Sequence, residues 1–293
     1  MRQRTLAGTL RFEGIGLHGG QAVSCVVSPA AVDHGVVFQR RDRPGSPPIP
    51  ARLEHVVGTE LATTLGIDGV RVGTVEHLTA ALRGMGIDNA LVQVDGAEIP
   101  VLDGSARIFV EAIASRGTVE QEAEATVLRV VDSVELLDEA SGRRSRLDPA
   151  DDFLLECEIA FDHPLLAHQS IHFSGGPERF AAEIAPARTF GLLADVERMH
   201  AAGLALGGSL ENAVVFGPEE VLNPGGLRFE DECVRHKVLD MIGDLSLLGG
   251  VVLGRFSASR SGHEFNLRLV REALDRGAII QDAAPLRSLS ASG

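Results

Sequence analysis

Apolar positions recur along the chain with two periods. β-branched runs bounded by turn residues predict strands over 22–28 and 35–39, and strict alternation over 90–94, between Asp88-Asn89 and Asp95-Gly96, predicts another. Further strands are expected over 126–131 and 153–161. Helical spacing covers 74–83, with Thr74 as the expected cap and Gly84 or Gly86 as the stop, and 105–116, stopped by Gly117. It returns over 177–188 and, most strongly, over 229–248. Strands and helices mix without regular βαβ alternation, so an α+β fold is predicted over a doubly wound parallel sheet. Arg40 to Arg43, followed by Pro-Gly-Ser-Pro-Pro, reads as a solvated loop. The acidic, aperiodic segment 119–125 reads as a boundary, and the residues from Gln281 onward as a frayed tail. The expected division is 1–125, an N-terminal α+β domain; 126–280, a C-terminal α+β domain; and 281–293, a tail.

Composition narrows the classes. With 44% apolar residues in 293, the chain can bury a large core, and disorder is excluded as a class. It has 12 Phe and neither Trp nor Tyr, so Leu, Val, Ile and Ala must fill that core. The balance of 27 basic against 41 acidic residues, net −14, argues against a nucleic-acid partner or an anionic membrane surface. Cys25, Cys157 and Cys233 are far apart with no CxxC pair, which fits a reducing compartment and no Cys-ligated metal. The longest uncharged apolar stretch, 245–254, is about half of the ~20 residues a membrane span needs. A soluble, cytoplasmic protein is expected. Of the 27 basic residues only Lys237 is a lysine.

That lysine lies inside the strongest predicted helix, in His236-Lys-Val-Leu-Asp240-Met-Ile-Gly-Asp244. Positions four apart stack on one helix face, so an imidazole and two carboxylates share a stripe. His236 and Asp240 suit one metal ion, yet a catalytic zinc usually takes three protein ligands. Glu76-His77, in the first turn of another predicted helix, offers a third ligand and a base, and a helix N-terminus favours an ionised Glu76. About 160 positions separate the two pieces, so a surface helix with polar neighbours stays open on spacing alone. His34, His55 and His200 lack chemical neighbours and read as structural or exposed. Asp162-His163 on a strand would point to opposite faces.

Longer motifs give the pattern a family. Gly14-Ile-Gly-Leu-His-Gly-Gly20, Thr74-Val-Glu-His-Leu78, Glu98-Ile-Pro-Val-Leu-Asp-Gly-Ser105, Ala187-Arg-Thr-Phe-Gly191, Gly207-Gly-Ser209, Leu227-Arg-Phe-Glu-Asp-Glu232, His236-Lys-Val-Leu-Asp240 and Ser261-Gly-His263 occur in order. Together, over about residues 3 to 275, they resemble the zinc-dependent UDP-3-O-acyl-N-acetylglucosamine deacetylases of lipid A biosynthesis. The segments 63–69 and 141–146 match poorly.

The resemblance implies two similar domains, each a layer of helices on a small mixed sheet, with the active site at their junction. It also implies a βαβ insert at about 191–217 that forms a passage for an acyl chain. His77, His236 and Asp240 would hold one Zn²⁺, with Fe²⁺ a competitor at such a donor set. Glu76 would be the general base and His263 the general acid, with Asp244 as the charge partner of His263. Thr189 would donate to the oxyanion, and Gly262 would leave room beside His263. Lys237 and Arg260 would meet the diphosphate of UDP. Phe161 and Phe190 would face uracil and sugar, although Phe161 serves equally as core, and His18 would line the site. Leu193, Val196, Ala205, Gly208 and Ser209 would line the passage; the apolar members equally suit an ordinary core. The expected partner is one amphiphilic UDP-sugar, acted on by a monomer.

Overall fold

A computed structural model describes residues 1–282, which form a mixed α+β fold with six helices and several small sheets. The first half carries a five-stranded sheet in the order Leu10–Ile15, Ala22–Pro29, Ala90–Val94, Val36–Arg40, Ile49–Pro50. Its pairings are antiparallel except Val36–Arg40 on Ala90–Val94. In Ala90–Val94 the alternation reads directly as faces: Ala90, Val92 and Val94 are buried, while Leu91 and Gln93 are half-exposed. A three-stranded meander, Val56–Gly58, Thr64–Ile67 and Val70–Val72, leads into helix α1, Glu76–Gly84. Helix α2, Arg107–Arg116, ends at Gly117, whose φ of 85° suits a glycine.

The second half builds a seven-stranded mixed sheet. Val251–Ser259 is its hub, antiparallel to Arg143–Asp148 and parallel to both Val127–Val130 and Phe153–Ile159. Val134–Asp138, Gln169–Ser174 and Ile279–Gln281 complete it. Helix α3, Pro177–Arg179, runs into a π turn over Phe180–Ile184. Phe190–Leu192 and Val214–Phe216 pair in parallel, with helix α4, Leu193–Ala201, between them in sequence. Helix α5, Glu232–Ser246, is buried along most of its length and packs on α1, on helix α6 (His263–Asp275) and on the sheet. One continuous hydrophobic cluster runs through both halves from Leu6 to Ile279. Among the described residues no helix is long and apolar enough to cross a membrane, and the three cysteines are buried and unpaired.

Several expectations fail locally. Thr74 does not cap α1: it takes a left-handed φ of 54°, its hydroxyl is buried without a partner, and Val75 precedes the first helical turn. The helix expected over 177–188 becomes three residues and a π turn, and this widened turn buries both Phe180 and Ile184. Phe180 occupies space that only a glycine leaves, since a Cβ on Gly84 would lie 2.3 Å from its ring. Helix α5 starts at Glu232, not Phe229, because the Glu232 carboxylate takes the N–H groups of Arg188 and Arg228 and holds the entering chain in a turn. Acidic 118–124 is a strand, antiparallel to Arg2–Leu6; backbone pairing with a remote segment supplies the order that its side chains do not signal. Arg40 is buried, forked onto Asp42 and the carbonyl of Arg71. Gln281 of the expected tail is in a strand beside Leu128, and 283–293 lie outside the described residues.

Candidate active site

Helices α1 and α5 approach as closely as backbones allow. A Cβ on Gly243 would come within 2.4 Å of the Glu76 carbonyl oxygen, and the Thr79 hydroxyl donates to the Gly243 carbonyl at 3.3 Å. This contact places the first turn of α1 beside the middle of α5, so His77 meets His236 and Asp240. The ligand atoms of these three buried residues lie within 4.8 Å of one another. His236 Nε2 is 3.4 Å and His77 Nε2 3.9 Å from Asp240 Oδ1, and the two rings stand edge to face.

The donor set fits a metal ion. Asp240 Oδ1 is buried with no hydrogen-bond partner, a costly state unless a cation completes it. Its other oxygen accepts from Lys237 Nζ at 2.9 Å. His236 Nδ1 faces the Ala187 carbonyl at 3.0 Å, which fixes the proton there and leaves Nε2 free to ligate. Burial, above all, holds His77 down to about 3 and His236 below its ordinary value. Both imidazoles are therefore neutral, as ligands must be. Asp240 stays ionised: burial opposes this, and the charges of Lys237 and of the protonated His263 outweigh it. Lys237 is raised in turn, because Asp240 outweighs its desolvation.

Beside this group lies an acid–base pair. His263 starts α6, with Nδ1 3.0 Å from both oxygens of Asp244 and Nε2 3.8 Å from Glu76 Oε1. Burial disfavours its charged form, yet the charge and hydrogen bond of Asp244 push His263 up to about 10. Burial raises Glu76 to about 7, against the pull of the His263 charge and of the backbone N–H it accepts. The space beside Gly262 is open, since a Cβ there would meet nothing within 4 Å.

The substrate-binding candidates divide into two groups. Phe190 packs edge-on to His236, Phe161 and Phe216, with Lys237 Nζ 5.5 Å from its ring centre. Thr189 precedes it, its N–H on the Gly104 carbonyl and its own carbonyl taken by Val214. Arg260 is elsewhere in contact terms: exposed and left-handed at φ 52°, it ends the strand 251–259 with its guanidinium towards Gly142.

Leu193 and Val196 lie on α4, which has no fully buried residue. Ala205 is buried at φ 53° and accepts from the Gly208 N–H, while Ser209 opens the turn to Asn212. His18 touches this segment through its carbonyl, which takes the Leu206 N–H, and both its ring nitrogens are buried without partners. Gly207 needs to be glycine here, since its Cβ would lie 2.2 Å from the Gly16 carbonyl.

Three contributors were not anticipated. Thr63 donates its hydroxyl to Asp244 and its N–H to Glu76. Asn266 donates to Asp244 at 3.3 Å, and its spacing of three from His263 in one helix was a usable signal. Arg188 forks onto Glu232 in a buried ion pair that anchors the chain beside Ala187; both lie in motifs of the sequence, 187–191 and 227–232, but no spacing joins the two.

Fold and site thus define an α+β protein with a buried His-His-Asp group able to hold a metal ion, and an acid–base pair at its edge. The chain belongs to the LpxC family, described as UDP-3-O-acyl N-acetylglycosamine deacetylase, whose model matches residues 3–275. It is 50% identical over 272 residues to the UDP-3-O-acyl-N-acetylglucosamine deacetylase of Myxococcus xanthus, covering 93% of this chain and 86% of that protein. The enzyme of the same name from Anaeromyxobacter sp. is 49% identical over 93% of this chain and 88% of its own length. That from Syntrophotalea carbinolica is 46% identical over 99% and 95%.

Proposed function

We propose that this protein hydrolyses the acetamide of UDP-3-O-(3-hydroxyacyl)-N-acetylglucosamine, releasing acetate and the free amine in the committed step of lipid A biosynthesis. The observation that carries this reading is the unpaired Asp240 Oδ1 facing two neutral imidazoles, beside a carboxylate and a carboxylate-held histidine. His77, His236 and Asp240 would hold one Zn²⁺, or Fe²⁺ where it is loaded instead. When bound, the metal supplies Lewis acidity to the amide carbonyl and to the attacking water.

The chain's own groups do the proton work. Glu76, poised near neutrality, accepts a proton from the attacking water at its free oxygen Oε1. His263, held protonated by Asp244, gives a proton from Nε2 to the departing amine. Thr189 would donate to the oxyanion, Lys237 would meet the diphosphate with Arg260, and Phe190 and Phe161 would face sugar and uracil. Two domains, 1–125 and 126–280, would meet at this site. The parallel pair 190–192 and 214–216 with α4 supports an insert at about 191–217, in which Leu193, Val196, Ala205, Gly208 and Ser209, with His18 nearby, guide the acyl chain. We infer a monomer working in the cytoplasm on one amphiphilic substrate.

The test measures acetate release and bound metal in purified protein. Glu76→Gln and His263→Gln should keep one metal per chain and lose at least about a hundredfold in kcat, while His236→Ala should lose the metal and His34→Ala neither. Near-normal turnover by the Glu76→Gln, His263→Gln double variant, or by metal-stripped protein, would sink the reading.

A further inference from the structure

We propose that Thr63 is a positioning residue that ties the base and the acid of this site to one point of the chain. The inference rests on the roles given above to Glu76 and His263. Thr63 is buried at 1% exposure and uses each of its polar groups on the site. Its N–H donates to Glu76 Oε2 at 3.1 Å, which leaves Oε1 as the oxygen that faces His263 Nε2 at 3.8 Å. Its hydroxyl donates to Asp244 Oδ1 at 2.9 Å. Its carbonyl accepts from Val75 N–H at 3.3 Å, at the entrance to α1.

Asp244 is therefore held from three sides: by Thr63, by Asn266 and by the His263 imidazole it orients. A carboxylate with only the histidine as partner could rotate about its last bond and carry the ring with it. With the hydroxyl in place, the carboxylate plane is set and His263 Nε2 is aimed at the space beside Glu76. The same hydroxyl anchors the loop that presents the Thr63 N–H. That loop is strained two residues earlier, at Leu61, whose φ of 63° is unfavourable for a branched side chain half in solvent. Without the tether, relaxation at Leu61 would draw the N–H away from Glu76. One hydroxyl thus fixes two groups that must act in sequence on one substrate, which is a requirement of geometry more than of binding.

The experiment compares Thr63→Val, which keeps the shape and removes the hydroxyl, with Thr63→Ser, which restores the hydroxyl and drops the methyl. In metal-loaded enzyme, Thr63→Val should lower kcat by about ten- to a hundredfold, with KM and metal content within about twofold of wild type. Thr63→Ser should recover kcat to within about threefold. On an Asp244→Ala background the Thr63→Val effect should shrink below about twofold, because the hydroxyl has then lost the acceptor through which it acts. A Thr63→Val kcat within about twofold of wild type, a serine variant as poor as valine, or an undiminished effect on Asp244→Ala would overturn the proposal. If Thr63→Val does not fold, Thr63→Ala reads the same comparison with serine. Active Glu76→Gln and His263→Gln enzymes would instead overturn the proposed function, so the two failures are distinguishable.

Discussion

Gly243→Ala tests whether the close approach of α1 and α5 is what builds the metal group. An added Cβ would lie 2.4 Å from the Glu76 carbonyl oxygen and 3.0 Å from two further backbone atoms of that residue. None of these is a flexible side-chain end, so the helices must separate, by about 0.8 Å to reach even a tight contact of about 3.2 Å. Because Glu76 precedes His77 directly, the displacement passes to a metal ligand and to the base together. The stability change is the difference of two opposing terms. Alanine is better than glycine inside a helix by about 1 kcal/mol, and overpacking costs about 1–3 kcal/mol. The fold should therefore survive with a modest loss, while the site does not. Displacing a ligand by most of an ångström should cost metal affinity on the order of tenfold or more and kcat about a hundredfold. Chelator competition, acetate release and thermal unfolding read these separately. Metal affinity and kcat both within twofold of wild type, in a folded Gly243→Ala protein, would refute the claim that this glycine sets the geometry.

Other expectations concern the buried charges. His263 is raised in the folded protein from an ordinary 6.5 to about 10, so its stabilisation is complete below pH about 6.5 and is lost as pH rises towards 10. Metal-free wild type should lose a few kcal/mol between pH 7 and 10, and Asp244→Asn distinctly less, in urea unfolding. Equal slopes would show that the pair does not exist. Buried Cys25 and Cys157, raised to about 12, act in the same direction at the top of this window and are common to both proteins. Arg188→Ala should cost about 3–5 kcal/mol, because it strands the fully buried Glu232 carboxylate, and should weaken metal binding through Ala187 and His236. A loss below about 1 kcal/mol would mean that Glu232 is satisfied by its other donors.

Legibility followed the range of the cause. The strands at 22–29 and 90–94 and the stop of α2 at Gly117 were readable because alternation and a left-handed glycine are local properties. The HxxxD pair and Asp244 were readable because a helix repeats every 3.6 residues, and the ordered motifs supplied the family and the partner His77. Thr74 misled because a threonine before a helix looks like a cap whether or not its backbone can present the hydroxyl; here φ 54° turns it elsewhere. The strand at 118–124 was illegible because its order comes from Arg2–Leu6, more than a hundred residues away.

The sequence by itself determined the composition of the core, the helical stripe His236–Asp240–Asp244 and the membership of the family, all of which depend on residue type and local order. Only the tertiary structure decided that Gly243 lets α1 touch α5, that Asp240 keeps one oxygen unpaired, and that Thr63 joins Glu76 to Asp244. Those are contacts between segments up to 181 positions apart, set by how closely two backbones can pack, and no spacing along the chain encodes that distance.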